Sequence, residues 1–347
     1  MPHEFADFRS DTVTRPTPAM RKAMAEALVG DDVFQEDPTV AKLEAEAARL
    51  LGKEASLFVP TGCMGNQIAV RVHTRPGEEV CVEAQSHTYD WELAGMAALS
   101  GVQARPLPSV RGALDPELVG ATLREEGGFR PRCGLVIVEN THNFHGGAVV
   151  PIDQLRRVYA AAKDRRAAVH MDGARLWNAA VASNTPLSEY GRVADSITVC
   201  LSKGLGAPVG SLVAGDAAFV AKARVVRKLL GGGMRQVGVL AAPALLALRE
   251  NRARLVEDHR RAQTLAMGLC EAARTTLPGG PPDTNIVIVR VEGLDPKAIA
   301  DALKARQVLA LQAGPDRLRF VTHYDVDDGD VTRAITAFQD VVRTLAG

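Results

Sequence analysis

The sequence lacks most features that would place it outside the ordinary globular proteins. No apolar run approaches the ~20 residues that a bilayer crossing needs, so no membrane partner is expected. Neither charge is in excess: 41 Lys plus Arg stand against 41 Asp plus Glu, with no basic run. Balanced charge gives no bulk attraction to nucleic acid or anionic lipid. The five cysteines (Cys63, Cys81, Cys133, Cys200, Cys270) are scattered and odd in number. They predict no disulfide framework but reduced thiols in a cytoplasmic setting. The opening MPHEFADFRSD lacks the charged-then-apolar layout of a signal peptide. No His/Cys/Asp cluster has ligand spacing, so no metal is expected. Repeats and low-complexity segments are absent too.

What is present is 347 residues, 46% hydrophobic and 24% charged. That length suggests a large domain and a smaller one. Residues 1–16 read as a polar arm, 17–250 as the large domain and 251–347 as a small α+β domain. Thr17 and Pro18 open a helix over 17–28, and Thr39 or Asp37 caps a second over 38–51. Short apolar strands follow at 55–60, 79–83, 134–139, 167–171, 196–200 and 211–214. Helices are expected at 62–74, 151–166 and 216–230. Continuous apolar strands alternating with helices predict an α/β fold whose mostly parallel sheet is covered on both faces. A helix-rich stretch, 236–275, links to the strands 285–291 and 317–322 and the helices 295–306 and 329–345.

Several residues stand where such a sheet binds ligands, at strand ends. Lys203, in LSKGLGAPVGS, follows one strand among glycines, where its amine could be desolvated and made nucleophilic. A lone Lys-Gly would otherwise read as surface loop. Asp172, in VHMDGARLWNA, ends another strand. A carboxylate there could hold a pyridine nitrogen protonated, or simply cap a helix. Gly62 and Cys63, in PTGCMGNQIAV, open a helix whose free N–H groups suit a phosphate; an ordinary βα turn would look the same. His87, in EAQSHTYDWE, could stack on an aromatic ring or be a loop histidine.

Together these segments resemble the low-specificity L-threonine aldolase family, of the threonine aldolase/β-eliminating lyase group. The matching stretches run from FRSDTVTRPT (8–17) through GDDVFQEDPTV (30–40), VENTHNFHGGAVVP (138–151) and RKLLGGGMRQVG (227–238) to RFVTHYDV (319–326), in order along nearly the whole chain. The resemblance implies the aminotransferase-like fold type I and pyridoxal 5′-phosphate as cofactor. Lys203 then looks like the Schiff-base lysine and Asp172 like the partner of the ring nitrogen. His87 would stack on the ring. Gly62, Cys63 and Ser202 would hold the phosphate, with Lys228 and Arg235 reaching it from a neighbouring subunit of a homo-oligomer, a dimer of dimers. Arg175 and Arg319, helped by Ser10, would hold the substrate carboxylate. His142 would lie near the substrate hydroxyl.

The implied reaction is retro-aldol cleavage of L-threonine, L-allo-threonine and other β-hydroxy-α-amino acids to glycine and an aldehyde, with His87 or His142 as base. A β-eliminating lyase, racemase or aminotransferase of the same fold would use the same cofactor residues. Three departures bear on selectivity: Cys63 for the usual threonine, Phe34-Gln35 for Tyr-Gly, and a bulky Trp177. They predict an apolar rim of Phe34 and Trp177 that favours aromatic β-substituents.

Overall fold

The computed structural model describes residues 4–124 and 129–346. Seven strands form the main sheet: β1 (Ala55–Val59), β2 (Glu79–Glu83), β3 (Gln103–Leu107), β4 (Cys133–Glu139), β5 (Ala168–Gly173), β6 (Ser196–Cys200) and β7 (Ser211–Gly215). Their spatial order is β1-β7-β6-β5-β4-β2-β3. Every residue of β2, β4, β6 and β7 is buried, which is why these strands read as unbroken apolar runs.

Six strands are parallel. β7 is antiparallel to both β6 and β1, so the parallel expectation fails at 211–215. The reason is length. Only ten residues separate Cys200 from Ser211, too few for a crossover, and a short connection can return only antiparallel. β3 is missing from the sequence reading for a different reason. Its sequence, QARPL, is polar, and Pro106 is tolerated because this strand pairs on one side alone.

Helices cover both faces. α1 (Pro18–Ala25) starts at Thr17, whose Oγ1 accepts from the Met20 N–H, and stops three residues short of the expected end. α2 (Pro38–Leu51) is capped by Asp37, which accepts from Thr39 and Val40, and ends on Gly52 at φ 63°. It buries Val40, Leu43, Ala47 and Leu51 in the main core. α3 (Gly62–His73) starts directly after β1 with Thr61 as its cap.

A second core lies against a four-stranded sheet built from Thr275–Thr276, Ile286–Val291, Leu311–Gln312 and Arg317–Val321. The linking segment is two helices with different allegiances. Gly238–Glu250 packs on α1 and α2, whereas Leu255–Cys270 packs on Asp328–Leu345. The N-terminal arm crosses between the two units. Ala6–Asp7 pairs parallel to Val308–Leu309 and Phe8 is buried in the second core, while the Thr14 hydroxyl donates to the Lys203 carbonyl at 3.1 Å. No helix among the described residues is long and apolar enough to cross a membrane.

Candidate active site

The carboxyl ends of β1, β2, β4, β5 and β6 lie on one edge of the sheet, and the turns that leave them carry the candidate residues. β5 delivers Asp172, 2% exposed. Its Oδ2 accepts from Asn66 Nδ2 at 2.8 Å, and its Oδ1 from the Ala174 N–H at 3.0 Å. Burial raises its pKa, but the nearby His87 and Lys203 charges and the Ala174 N–H outweigh burial, and Asp172 stays below the ordinary aspartate value. It is therefore an ionised, fixed carboxylate with lone pairs available to a cationic N–H.

β6 delivers Lys203 through a turn closed by the Gly206 N–H on the Lys203 carbonyl, with Gly206 at φ +79°. The same cavity, about 290 Å³, is lined by Gly62, Cys63, Asp172, Ser202, Lys203 and His87. At its floor α3 begins. A Cβ at Gly62 would come within 2.9 Å of Cys200 Sγ, so only glycine lets the helix start so close to β6. Cys63 is exposed, and burial of its sulfur together with Glu92 and Asp172 pushes its pKa up to about 12. It is a neutral thiol, not a nucleophile.

His87 follows β2. Its backbone N–H donates to Glu139 and its Nδ1 pairs with Glu92 Oε1 at 3.0 Å. Burial lowers its pKa, but the Glu92 hydrogen bond and the Asp172 charge raise it above the usual histidine value. Glu92 also accepts from Asn66 at 2.9 Å and Gln67 at 2.6 Å. Asn66 is oriented in turn by His170, whose Nε2 meets Asn66 Oδ1 at 3.2 Å. Asn66 thus ties Asp172 to the carboxylate that fixes His87.

A second cavity of about 430 Å³ meets the first at Thr12, His87 and Lys203 and is also lined by Ser10, Arg175 and Arg319. Arg175 is held by Asp11 at 2.8 and 2.7 Å, both groups buried. Asn143 Oδ1 accepts from Arg175 at 3.2 Å and from Arg319 at 3.0 Å. Among the described residues Arg319 donates to Asn143 and the Arg9 carbonyl alone. Burial, then the like charge of Arg175, lowers the Arg319 pKa to about 10. Asp11 neutralises Arg175, whereas Arg319 faces the cavity with no carboxylate hydrogen-bonded to it among the described residues.

Of the expected residues, His142 lies elsewhere, and Lys228 and Arg235, expected to act on a neighbouring subunit's site, lie outside their own chain's cavities. His142 is 0% exposed, and its Nε2 meets Glu83 Oε2 at 2.8 Å rather than the cleft. Lys228 and Arg235 are exposed and line neither cavity; Arg235 pairs with Asp31 at 3.1 Å. The expected rim is corrected as well. Trp177 is 2% exposed within the core, its Nε1 donating to the Cys200 carbonyl. Phe34 is exposed but lines neither cavity. The aromatic wall is instead Trp91 stacked on Phe144, at 4.9 Å and 11°. Asp11, Asn66, Glu92, Asn143, Trp91 and Phe144 were all absent from the sequence-based set. Asn66 alone carried a signal, one helical turn beyond Gly62.

Comparison with known proteins comes from three directions. The family model described as "Beta-eliminating lyase" matches residues 7–293. The chain is 41% identical over 346 residues to low-specificity L-threonine aldolase 1 of Arabidopsis thaliana, covering 98% of this chain and 97% of that one. It is 44% identical over 321 residues to the low specificity L-threonine aldolase of Escherichia coli K12, covering 92% and 94%. Among solved structures, a Leishmania major threonine aldolase superimposes with a TM-score of 0.81 at 22% identity, covering 97% of this chain and 99% of that one.

Proposed function

The chain belongs to the β-eliminating lyase family of pyridoxal-phosphate enzymes, and on that premise we propose that it cleaves β-hydroxy-α-amino acids, L-threonine and L-allo-threonine among them, to glycine and an aldehyde. One observation carries the reading. A buried ionised carboxylate, a lysine at a strand end and a glycine-opened helix N-terminus face one cavity, beside a cavity lined by the Arg319 guanidinium. The residues fit the cofactor's three needs: a partner for a ring N–H, an amine for an aldehyde, and N–H donors for a phosphate.

Lys203 would hold the cofactor covalently through Nζ, Asp172 would keep its ring nitrogen protonated, and Gly62, Cys63 and Ser202 would hold its phosphate. When bound, it supplies an electron sink for the pair released from the Cα–Cβ bond. Arg319 binds the substrate carboxylate, while Arg175, braced by Asp11, adds a donor; Ser10 lies on the same wall. His87 is our choice of base over His142. Its Nδ1–H is committed to Glu92, so in the neutral ring the Nε2 lone pair is left to take the β-hydroxyl proton. His142, with its ring enclosed against Glu83, serves the turn that carries Asn143.

We further propose that the enzyme is cytoplasmic and divides into an arm (1–16), a large domain (17–250) and a small one (251–347). It works as a homo-oligomer, a dimer of dimers, in which exposed Lys228 and Arg235 reach the partner's phosphate site. The test is a substrate panel of L-threonine, L-allo-threonine, L-phenylserine and L-serine with aldehyde and glycine both measured. Equimolar glycine and aldehyde are expected. Ammonia and a keto acid without glycine would assign the chain to β-elimination instead.

A further inference from the structure

Glu83 closes β2 with a carboxylate only 2% exposed. Two histidines reach it from the turn after β4. His142 Nε2 lies 2.8 Å from Glu83 Oε2 and His145 Nε2 lies 3.4 Å from Glu83 Oε1. Ser109, just beyond β3, completes the group, with Oγ 2.8 Å from Glu83 Oε1 and 3.3 Å from His145 Nε2. The ligand-capable atoms of Glu83, His142 and His145 lie within 4.8 Å of one another. Around a tetrahedral ion with bonds of about 2.0–2.1 Å, neighbouring ligand atoms stand roughly 3.3 Å apart. His145 stands at that spacing from Glu83 and Ser109, 3.4 and 3.3 Å, while His142 and Ser109, each 2.8 Å from Glu83, would move out by about half an ångström to admit the ion.

We propose that Glu83, His142 and His145, with the Ser109 hydroxyl, form a divalent-cation site outside the cofactor cavity. Two imidazoles and one carboxylate suit a borderline ion such as Zn2+ better than Ca2+ or Mg2+, which take oxygen ligands. The charge also fits. Among the described residues Glu83 meets no Lys or Arg; the nearby Arg111 is committed to Asp283 and the Gly279 carbonyl. His142 Nδ1 is buried without a partner, so the ring is held through Nε2 alone; an ion at Nε2 would replace the hydrogen bond to Glu83 and leave the ring proton on Nδ1. Entry is open on one side. His145, 21% exposed, lines a cavity of about 250 Å³ together with Gln85, Arg111 and Phe144.

The site is a brace, not part of the chemistry. Between its two histidines stand Asn143, which holds Arg175 and Arg319, and Phe144, which stacks on Trp91. An ion on both flanks would stiffen the turn that sets the substrate cavity. The sequence concealed this group because its members come from three strand ends, 59 to 62 positions apart for Glu83 and the two histidines.

Metal content decides the matter. Holoenzyme is incubated with Zn2+, gel-filtered and analysed for zinc per subunit, with Co2+ spectra and thermal midpoints alongside. About one equivalent is expected, with a tetrahedral Co2+ spectrum free of thiolate charge transfer and a midpoint raised by Zn2+. All three should vanish in His145→Ala and Glu83→Gln. His145→Ala alters a partly exposed side chain, so its midpoint in chelator, matched to the wild type, shows that the fold persists. Zinc that is not retained overturns the proposal. So does zinc kept by His145→Ala but lost in Cys63→Ser, because Cys63, His87 and Glu92 form a second cluster within the cofactor cavity.

Discussion

Asp11 grips Arg175 through two hydrogen bonds of 2.7 and 2.8 Å, 164 positions apart in the chain, with 0% and 5% of each residue exposed. The arm that carries Asp11 is thereby fastened to the main sheet inside the substrate cavity. Burial disfavours the Asp11 charge, but Arg175 wins and keeps the carboxyl far below its ordinary value. Removing one partner of a buried pair strands the other and costs about 3–5 kcal/mol. Asp11→Ala should therefore lower the unfolding free energy of the holoenzyme by that order and raise KM. Arg319→Ala should raise KM at least as much with a far smaller stability loss, because no carboxylate depends on it. Denaturant unfolding and steady-state kinetics on both variants check the split.

A base held by a carboxylate has a pH signature. His87 must be neutral to accept the β-hydroxyl proton, and Glu92 and Asp172 hold its pKa above the usual 6.5. The kcat/KM profile should accordingly rise with pH through an inflection above 6.5. Glu92→Gln removes the charge that keeps the proton on, so the inflection should move to lower pH while the maximum falls. A profile that Glu92→Gln leaves in place would separate the titration from His87.

The ring nitrogen gives a third test. Asp172→Asn keeps the shape of the side chain and one acceptor oxygen, enough for the Ala174 N–H or the Asn66 amide but not both, and it cannot stabilise a protonated ring. The variant should fold and bind the cofactor yet lose activity by ~100-fold or more, in line with removing an electrostatic group of this kind. Turnover within a few-fold of the wild type would remove Asp172 from the mechanism.

Acid should loosen the fold before its carboxylates titrate. Burial lowers the pKa of His73 to about 4, of His170 to about 3 and of His259 to about 4. In each case the folded value is below the unfolded ~6.5, so the unfolded chain takes up the extra proton. Stability is then lost as pH falls below 6.5, by up to ~1.4 kcal/mol per pH unit for each histidine, until the folded values are reached. His87 and His142 have raised values and act oppositely: their contribution is full below 6.5 and fades as pH rises. Urea midpoints from pH 6 to 4.5 should fall steeply, and His73→Phe should reduce the slope by about a third.

Much of the cofactor end was legible in the sequence, and the substrate end was not. Lys203, Asp172 and Gly62 each sit one turn or less beyond an apolar strand, so local pattern alone put them on one sheet edge. Asn66, Asp11 and Asn143 act on Asp172, Arg175 and Arg319 across 106, 164 and 176 positions, and no local period marks such pairs; Glu92 is five positions from His87, in an irregular stretch with no period either. β7 was found as a strand but not in its direction, since direction follows from connection length rather than composition. Trp177 shows the limit for aromatics. The helix Leu176–Ser183 turns that ring into the core, where its N–H meets a strand carbonyl, and only the packed structure says which aromatic faces the cleft.

That reassignment sharpens the question of substrate preference. Trp91 and Phe144 stack nearly parallel on the wall that faces Lys203, His87 and Arg319, and Trp91 remains 56% exposed. With the carboxylate fixed at Arg319 and the hydroxyl at His87, the β-substituent is the part free to meet this wall. A phenyl group covers far more apolar surface than a methyl and gains roughly 1–3 kcal/mol more, about 5- to 150-fold in kcat/KM. L-Phenylserine should therefore be cleaved with a higher kcat/KM than L-threonine. Trp91→Ala should shrink that ratio toward one, because the Phe144 face alone offers half the contact. Phe34→Ala and Trp177→Phe give the contrast: neither residue lines the cleft, so neither should change the ratio. Competition between the two substrates in one reaction measures it directly, and a ratio that Trp91→Ala leaves untouched would mean the β-substituent lies against another wall.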